Sequence, residues 1–258
     1  MPSPPSHPRS VICLSGGMDS CVTAAVAARD TDLYALHFSY GQRTEARELT
    51  AARSIALALG ARDFLHLEID LFRKIGGSAL TDTTIAVPDA SQAFRERGEV
   101  EDGKTGGHVP VTYVPFRNAH FLSAAVSWAE VIGASRIYIG AVEQDSSGYP
   151  DCRPAYYKAF QQVIDLGTAA GALGTAAGTR DGRIEIVTPL IALAKAQIVQ
   201  LGLECNAPLD LTWSCYRNEQ AACGACESCI LRLRAFQAAG VPDPIPYAPA
   251  IDRTVAGV

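Results

Sequence analysis

Ser10-Val-Ile-Cys-Leu14-Ser15-Gly16-Gly17-Met18-Asp19-Ser20 is the stretch whose reading decides the fold. The apolar run Ser10 to Leu14 reads as a short buried strand. Two glycines and two serines then turn the chain into Asp19 to Arg29, an Ala-rich segment with apolar residues at helical spacing. Strand, glycine turn and helix open a βαβ unit, in which parallel strands are joined through helices. The N–H groups at such a helix N-terminus lack intrahelical partners, and glycine lets an anion approach them closely. The turn is not a Walker A loop: Met18 follows Gly17, so no loop lysine reaches a terminal phosphate.

Working outward, the same alternation continues. Leu33 to Phe38 and Phe64 to Ile69 read as strands flanking a helix over Thr44 to Leu59, which Gly60 closes. Asn118 reads as the N-cap of a helix carrying Phe121, Leu122, Ala125, Val126, Ala129 and Ile132 on one face and ended by Gly133. Arg136 to Val142 and Ile184 to Val187 follow as strands. The order predicts an α/β fold, a parallel Rossmann-like sheet with helices on both faces. The domain plan is a disordered tail over 1–9, a nucleotide-binding α/β domain over 10–204 and a metal-binding C-terminal region over 205–258 packed on it. Acidic, glycine-rich Gly98 to Gly107 sits in a predicted long loop at about 73–109, either a lid or disordered. Gly167 to Gly178, almost all Gly, Ala and Thr, is assigned no function.

Composition limits the class. The chain has 258 residues, 48% hydrophobic and 19% charged, enough apolar content for a sizeable core. Twenty-two basic against 27 acidic residues give a net charge of −5, without the basic excess of a nucleic-acid binder. A small anionic ligand needs only a few local cations. Met1 to Arg9 holds four prolines and no apolar run, unlike a secretory signal. Phe121 to Val142 carries Glu130, Arg136 and Gly133, which argues against a membrane span. A cytoplasmic protein is expected, and its eight cysteines need a reason other than disulfides.

Four of those cysteines, Cys215, Cys223, Cys226 and Cys229, fall within fifteen residues, where even spreading predicts about half of one. The spacing Cys-x7-Cys-x2-Cys-x2-Cys turns four thiolates toward one point, as a closed, structural Zn2+ site requires, and Gly224 eases the tight turn. An iron–sulfur cluster or a redox dithiol fits the spacing too. Cys152 lies between Asp151 and Arg153 with no obligatory base beside it, and His37 sits inside a strand; both read as packed groups.

The string Ser-Gly-Gly-x-Asp-Ser after a strand resembles the pyrophosphate-loop family of ATP-dependent enzymes. Further blocks narrow the resemblance: Tyr40-Gly41-Gln42-Arg43, Val114-Pro115-Phe116-Arg117-Asn118, Ser147-Gly148-Tyr149-Pro150-Asp151-Cys152-Arg153, Thr188-Pro189-Leu190 with Lys195, and Ser214-Cys215-Tyr216 with the three later cysteines. In this order, from about Val11 to Tyr247, they resemble the 7-cyano-7-deazaguanine synthase family. Two features depart from its pattern: Phe116, where a small residue is usual, and the long acidic loop.

The resemblance implies an adenine nucleotide alpha hydrolase-like fold. It also implies an activity: ATP with Mg2+ activates 7-carboxy-7-deazaguanine, ammonia gives an amide, and a second adenylation gives the nitrile, in a homodimer that binds neither nucleic acid nor membrane. Leu14, Ser15, Gly16, Gly17, Met18, Asp19 and Ser20 are then the ATP loop. Asp19 is the Mg2+ ligand, or merely an acid favoured by the helix dipole. Arg117 and Lys195 neutralise phosphate or carboxylate oxygens beside Arg43, or else make plain salt bridges. Asp145 or Asp151 accepts the N–H pair of a guanine-like edge, with Arg153 nearby, unless Asp151 is only a turn residue. Two other classes stay open: an adenylating enzyme acting on a tRNA or protein acceptor, and a non-catalytic nucleotide-binding module.

Overall fold

The computed structural model describes residues 7–96, 109–143, 148–169, 171–172 and 183–249. Strands β1 (Arg9–Cys13), β2 (Asp32–Ser39) and β3 (Asp63–Glu68) alternate with helices α1 (Met18–Ala28) and α2 (Glu45–Ala58). After short α3 (Leu71–Ile75) and α4 (Ala90–Glu96) come α5 (Arg117–Ile132), β4 (Arg136–Ile139) and α6 (Pro154–Gly167). The chain then forms β5 (Glu185–Val187), α7 (Lys195–Glu204) and α8 (Glu227–Ala238). All strand pairs are parallel, in the order β3-β2-β1-β4-β5. The chain therefore grows one way from β1 and then back across it, and a crevice opens where β1 and β4 end side by side.

Successive side chains of a strand point to opposite faces, and β1 feeds two cores in this way. Val11 and Cys13 pack with Leu36, Ile137 and, from α5, Leu122 and Ala125. Ile12 and Leu14 pack on the other face with Cys21 and Ala24 of α1 and Ile55 of α2. Helices thus cover both faces, the predicted α/β class.

Several local expectations shift. The strand expected to run to Val142 stops at Ile139, and Gly140 after it is packed so closely that a Cβ there would lie 2.9 Å from the Asp19 backbone carbon. Gly16 is constrained from the other side: φ is +89°, and a Cβ there would sit 2.5 Å from the Glu48 carbonyl. Asn118 is not the N-cap of α5. Phe116 caps it in the left-handed region at φ 56°, and its side chain supplies no hydrogen bond. Arg9, placed in the tail by sequence, opens β1 and donates to the Ile132 carbonyl at 2.6 Å. The expected loop at 73–109 contains α4, and Asp89 pairs with Cys226 across an isolated bridge. Residues 97–108 lie outside the described residues, as do 170 and 173–178 of the Gly-Ala-Thr segment. No helix among the described residues is long and apolar enough to cross a membrane.

Candidate functional site

A cavity of 310 Å³ occupies the crevice at the ends of β1 and β4. Leu14, Ser15, Gly17, Met18, Asp19 and Ser20 form one wall. Gly17 is the N-cap of α1, is extended and gives no side-chain cap, so the first-turn N–H groups face outward without a protein side chain to satisfy them. The two serines brace the turn: Ser20 Oγ donates to the Gly17 carbonyl (3.0 Å), the Gly17 N–H donates to Ser15 Oγ (3.3 Å), and the two hydroxyls lie 3.0 Å apart. Gly16 lies beneath this wall, and its carbonyl accepts the N–H of fully buried Trp213 at 2.8 Å.

Lys195, the first residue of α7, reaches across 176 positions to this loop. Its Nζ donates to Asp19 Oδ2 at 2.6 Å, while Asp19 Oδ1 is buried and has no partner. Arg117 enters from the start of α5. Its Nη1 donates to the Tyr40 hydroxyl (2.9 Å), its guanidinium packs over the Tyr40 and Phe121 rings, and its Nε is buried without a partner. Arg43 also lines the cavity, but its Nε and Nη2 donate to the carbonyls of Ala79, Asp82 and Ile85. It therefore ties down the segment after α3.

Of the other residues expected at the substrate, the described ones, Asp151 and Arg153, are not part of the cavity wall. Asp151 is buried behind the start of α5: its Oδ2 accepts the Asn118 N–H at 3.1 Å, and its own carbonyl accepts Asn118 Nδ2. It caps α5 from outside the helix, the task that sequence gave to Asn118. Burial raises its carboxyl above the usual carboxylate range. Arg153 is exposed at the N-cap of α6, donates to the Pro150 carbonyl (3.0 Å) and is not part of the cavity wall. Asp145 lies outside the described residues.

Cys152 borders the cavity, yet burial pushes its thiol up to about 11, so it stays protonated at neutral pH. His37 is packed: Nδ1 pairs with the Leu14 carbonyl at 2.8 Å, and burial pulls its pKa down to about 4. Sequence reasoning did not single out Glu48, although it lines the cavity from α2. It lies in the first turn of α2 together with Glu45, and no motif marks it.

Beside the cavity, Trp213 leads into the cysteine region. The four Sγ atoms of Cys215, Cys223, Cys226 and Cys229 lie within 4.8 Å of one another, a group able to hold a metal ion. Backbone N–H groups of Asn218 and Cys223 point at Cys215 Sγ (3.3 Å each), and those of Ala225 and Cys226 at Cys223 Sγ (3.4 and 3.3 Å). Such donors favour charged sulfur. Hydrogen bonds from the other three thiols hold Cys215 well below the ordinary thiol range. The cluster is packed against the rest: Arg217 bonds Asp89 and the Val87 carbonyl (2.8 and 2.7 Å), and Thr44 Oγ1 lies 3.2 Å from the Cys215 carbonyl.

The model of the family described as queuosine biosynthesis protein QueC matches residues 9–240. Over 244 residues the chain is 65% identical to 7-cyano-7-deazaguanine synthase of Acidobacterium capsulatum, covering 95% of this chain and 98% of that protein. It is 56% identical over 246 residues to the protein of the same name from Koribacter versatilis, covering 94% of each. Among solved structures, NH3-dependent NAD synthetase from Campylobacter jejuni is 16% identical, with a TM-score of 0.39 over 80% of this chain and 68% of that one, and adds nothing to the assignment. With the family model and both relatives agreeing over nearly its whole length, the chain belongs to the QueC family of queuosine biosynthesis proteins, the 7-cyano-7-deazaguanine synthases.

Proposed function

We propose that this chain converts 7-carboxy-7-deazaguanine and ammonia to 7-cyano-7-deazaguanine with two molecules of ATP, releasing AMP and pyrophosphate each time. One observation carries the reading: the uncapped N-terminus of α1 opens on a cavity that also holds Arg117 and the Lys195–Asp19 pair. A carboxylate is a poor electrophile. Attack of its oxygen on the α-phosphorus expels pyrophosphate and leaves an acyl adenylate. Ammonia then displaces AMP to give the amide. The amide oxygen attacks a second ATP, and loss of AMP leaves the nitrile. Both adenylations expel the same group, so one loop serves both.

The residues divide the work by chemistry. Free N–H groups after Gly17, with the Ser15 and Ser20 hydroxyls, receive the pyrophosphate charge as it develops. The Lys195 ammonium adds a positive charge, and the Arg117 guanidinium suits the substrate carboxylate or the α-phosphate. Asp19 Oδ1, buried and unpartnered, suits a Mg2+ ion, which would neutralise phosphate charge when bound. Arg43 contributes field from the wall, and Asp145 remains the proposed acceptor for the guanine-like N–H pair. The arrangement of the four cysteines suits Zn2+: a tetrahedral zinc–thiolate centre sets its sulfurs about 3.8 Å apart, and Cys223 and Cys229 are separated by 3.9 Å. With four protein ligands the site is closed and its role structural. A homodimer in the cytoplasm completes the reading.

Purified protein with ATP, ammonia and 7-carboxy-7-deazaguanine should yield AMP, pyrophosphate and the nitrile, read by mass. The amide should react without ammonia. ADP as the nucleotide product overturns the reading, and so does ATP cleavage that needs a tRNA or peptide. About one zinc per chain is expected, and Cys226→Ser should lower metal content and solubility together.

A further inference from the structure

Making a nitrile from an amide removes two protons from nitrogen; the first leaves with pyrophosphate, itself a base, as the oxygen is adenylated, and pyrophosphate-loop contacts supply no base for the second. We propose that Glu48 is that base, a catalytic residue whose carboxylate takes the last N–H proton as the adenylated amide collapses. This rests on the function proposed above. In the step, R–C(=NH)–O–AMP loses its N–H proton to Glu48. The N–H electron pair becomes the third carbon–nitrogen bond, and the carbon–oxygen pair leaves with AMP. The products are R–C≡N, AMP and protonated Glu48, with charge and atoms balanced.

Three observations support the assignment. Glu48 lines the cavity, and its backbone carbonyl abuts Gly16 of the loop, so the residue sits where α2 packs against the turn. The carboxyl is held by buried partners: Thr44 Oγ1 lies 2.7 Å from Oε1, and Gln42 Nε2 lies 3.2 Å from Oε2. The Thr44 hydroxyl can also turn to the Cys215 carbonyl at 3.2 Å. Ionised Glu48 accepts from the Thr44 hydroxyl; protonated Glu48 donates to Thr44 Oγ1, whose own O–H then donates to that carbonyl. Each protonation state is therefore hydrogen-bonded, as a group that exchanges protons requires.

Its ionisable neighbours are Arg117 from α5 and Glu45 from its own helix, which pull in opposite directions. Tyr40, held up at about 12 by burial, stays neutral. The Asp19–Lys195 pair and, from α8, Glu227 and Arg232 line the same cavity. Burial leads these effects and raises Glu48 to about 7, near the working pH of a general base.

The test follows nitrile formation from the amide and ATP as a function of pH. Wild-type turnover should rise with unit slope to about pH 7 and then level. Glu48→Gln should lose at least about 100-fold in turnover at pH 8, with a smaller change in KM, and should lose the rising limb. Thr44→Val keeps the carboxylate and removes a donor to its charged form, so it should move the limb to higher pH. This second variant decides the matter if Glu48→Gln does not fold. A limb that survives Glu48→Gln, or one that Thr44→Val leaves in place, overturns the inference. Wild-type protein that forms no AMP from the amide instead overturns the proposed function itself.

Discussion

Two acid–base pairs brace this chain, one across 11 positions and one across 176, and they differ in what is left over. Arg232 and Asp243 meet in a bidentate pair (2.8 and 3.0 Å) with side chains 2% and 4% exposed. Every spare position is filled: Thr212 Oγ1 accepts from Arg232 at 2.7 Å, while Tyr247 and the Ile245 N–H donate to Asp243. Lys195 and Asp19 are closer at 2.6 Å but 18% and 28% exposed, and one Asp19 oxygen is left without a partner on the cavity wall. A saturated pair has nothing more to bind, whereas an unsaturated one leaves an oxygen for the proposed cation. Saturation, not distance, is what distinguishes the two pairs.

Breaking the saturated pair should have the largest effect. Asp243→Asn leaves Arg232 buried and charged without its counter-ion, which should cost about 3–5 kcal/mol. Urea unfolding measures it, and a loss under 1 kcal/mol would erase the contrast between the pairs. Asp19→Asn should do the opposite, cutting AMP formation about 100-fold while shifting unfolding by less than about 1 kcal/mol. Equal damage to stability and turnover would make Asp19 a second structural pair.

Glu48 sharpens the comparison from another side, because its environment disfavours charge. A carboxyl raised in the folded state contributes stability below its unfolded value of about 4.5, and that contribution is lost as pH rises through about 7. Glu48→Gln should therefore be more stable than wild type by up to about 2 kcal/mol at pH 8, and the advantage should shrink toward pH 5. His37 titrates in the opposite sense: its lowered pKa gives stability present above about 6.5 and lost as pH falls through about 4. That contribution is common to both proteins and cancels in their difference. Melting curves at a series of pH values read the effect, and a pH-independent difference would contradict it.

The smallest effect belongs to an exposed pair. Arg183 and Asp165 lie 2.7 Å apart at 59% and 28% exposure, and solvent screens them. Asp165→Asn should change unfolding free energy by no more than about 1 kcal/mol. A larger loss would show that short distance alone carries energy here.

The sheet and the loop were legible because their signals are local: apolar strand runs, Gly16-Gly17 before α1, and four cysteines within fifteen residues. What sequence missed depends on partners far along the chain. Asp151 lies in a motif, and no sequence signal showed that its Oδ2 also caps α5 from 33 positions away while Oδ1 keeps no partner. Asn118 is a good N-cap type at a place where Phe116 takes the left-handed turn and Asp151 supplies the acceptor. Arg43 matched a motif too, and only the carbonyls of the 79–85 segment reveal where two of its nitrogens are used. Glu48 carried no motif signal at all. Its significance arises from Thr44, Gln42 and the cavity.

Helix α1 is gripped by main chain on two sides, with Gly16 against the carbonyl of Glu48 and Gly140 against the backbone of Asp19. Neither contact leaves room for a methyl group. In a library that randomised every cavity residue in search of a new acceptor, positions 16 and 140 would stay glycine, although neither offers a side chain to any ligand. The wall around the loop is open to redesign, and the seat of the helix that carries it is not.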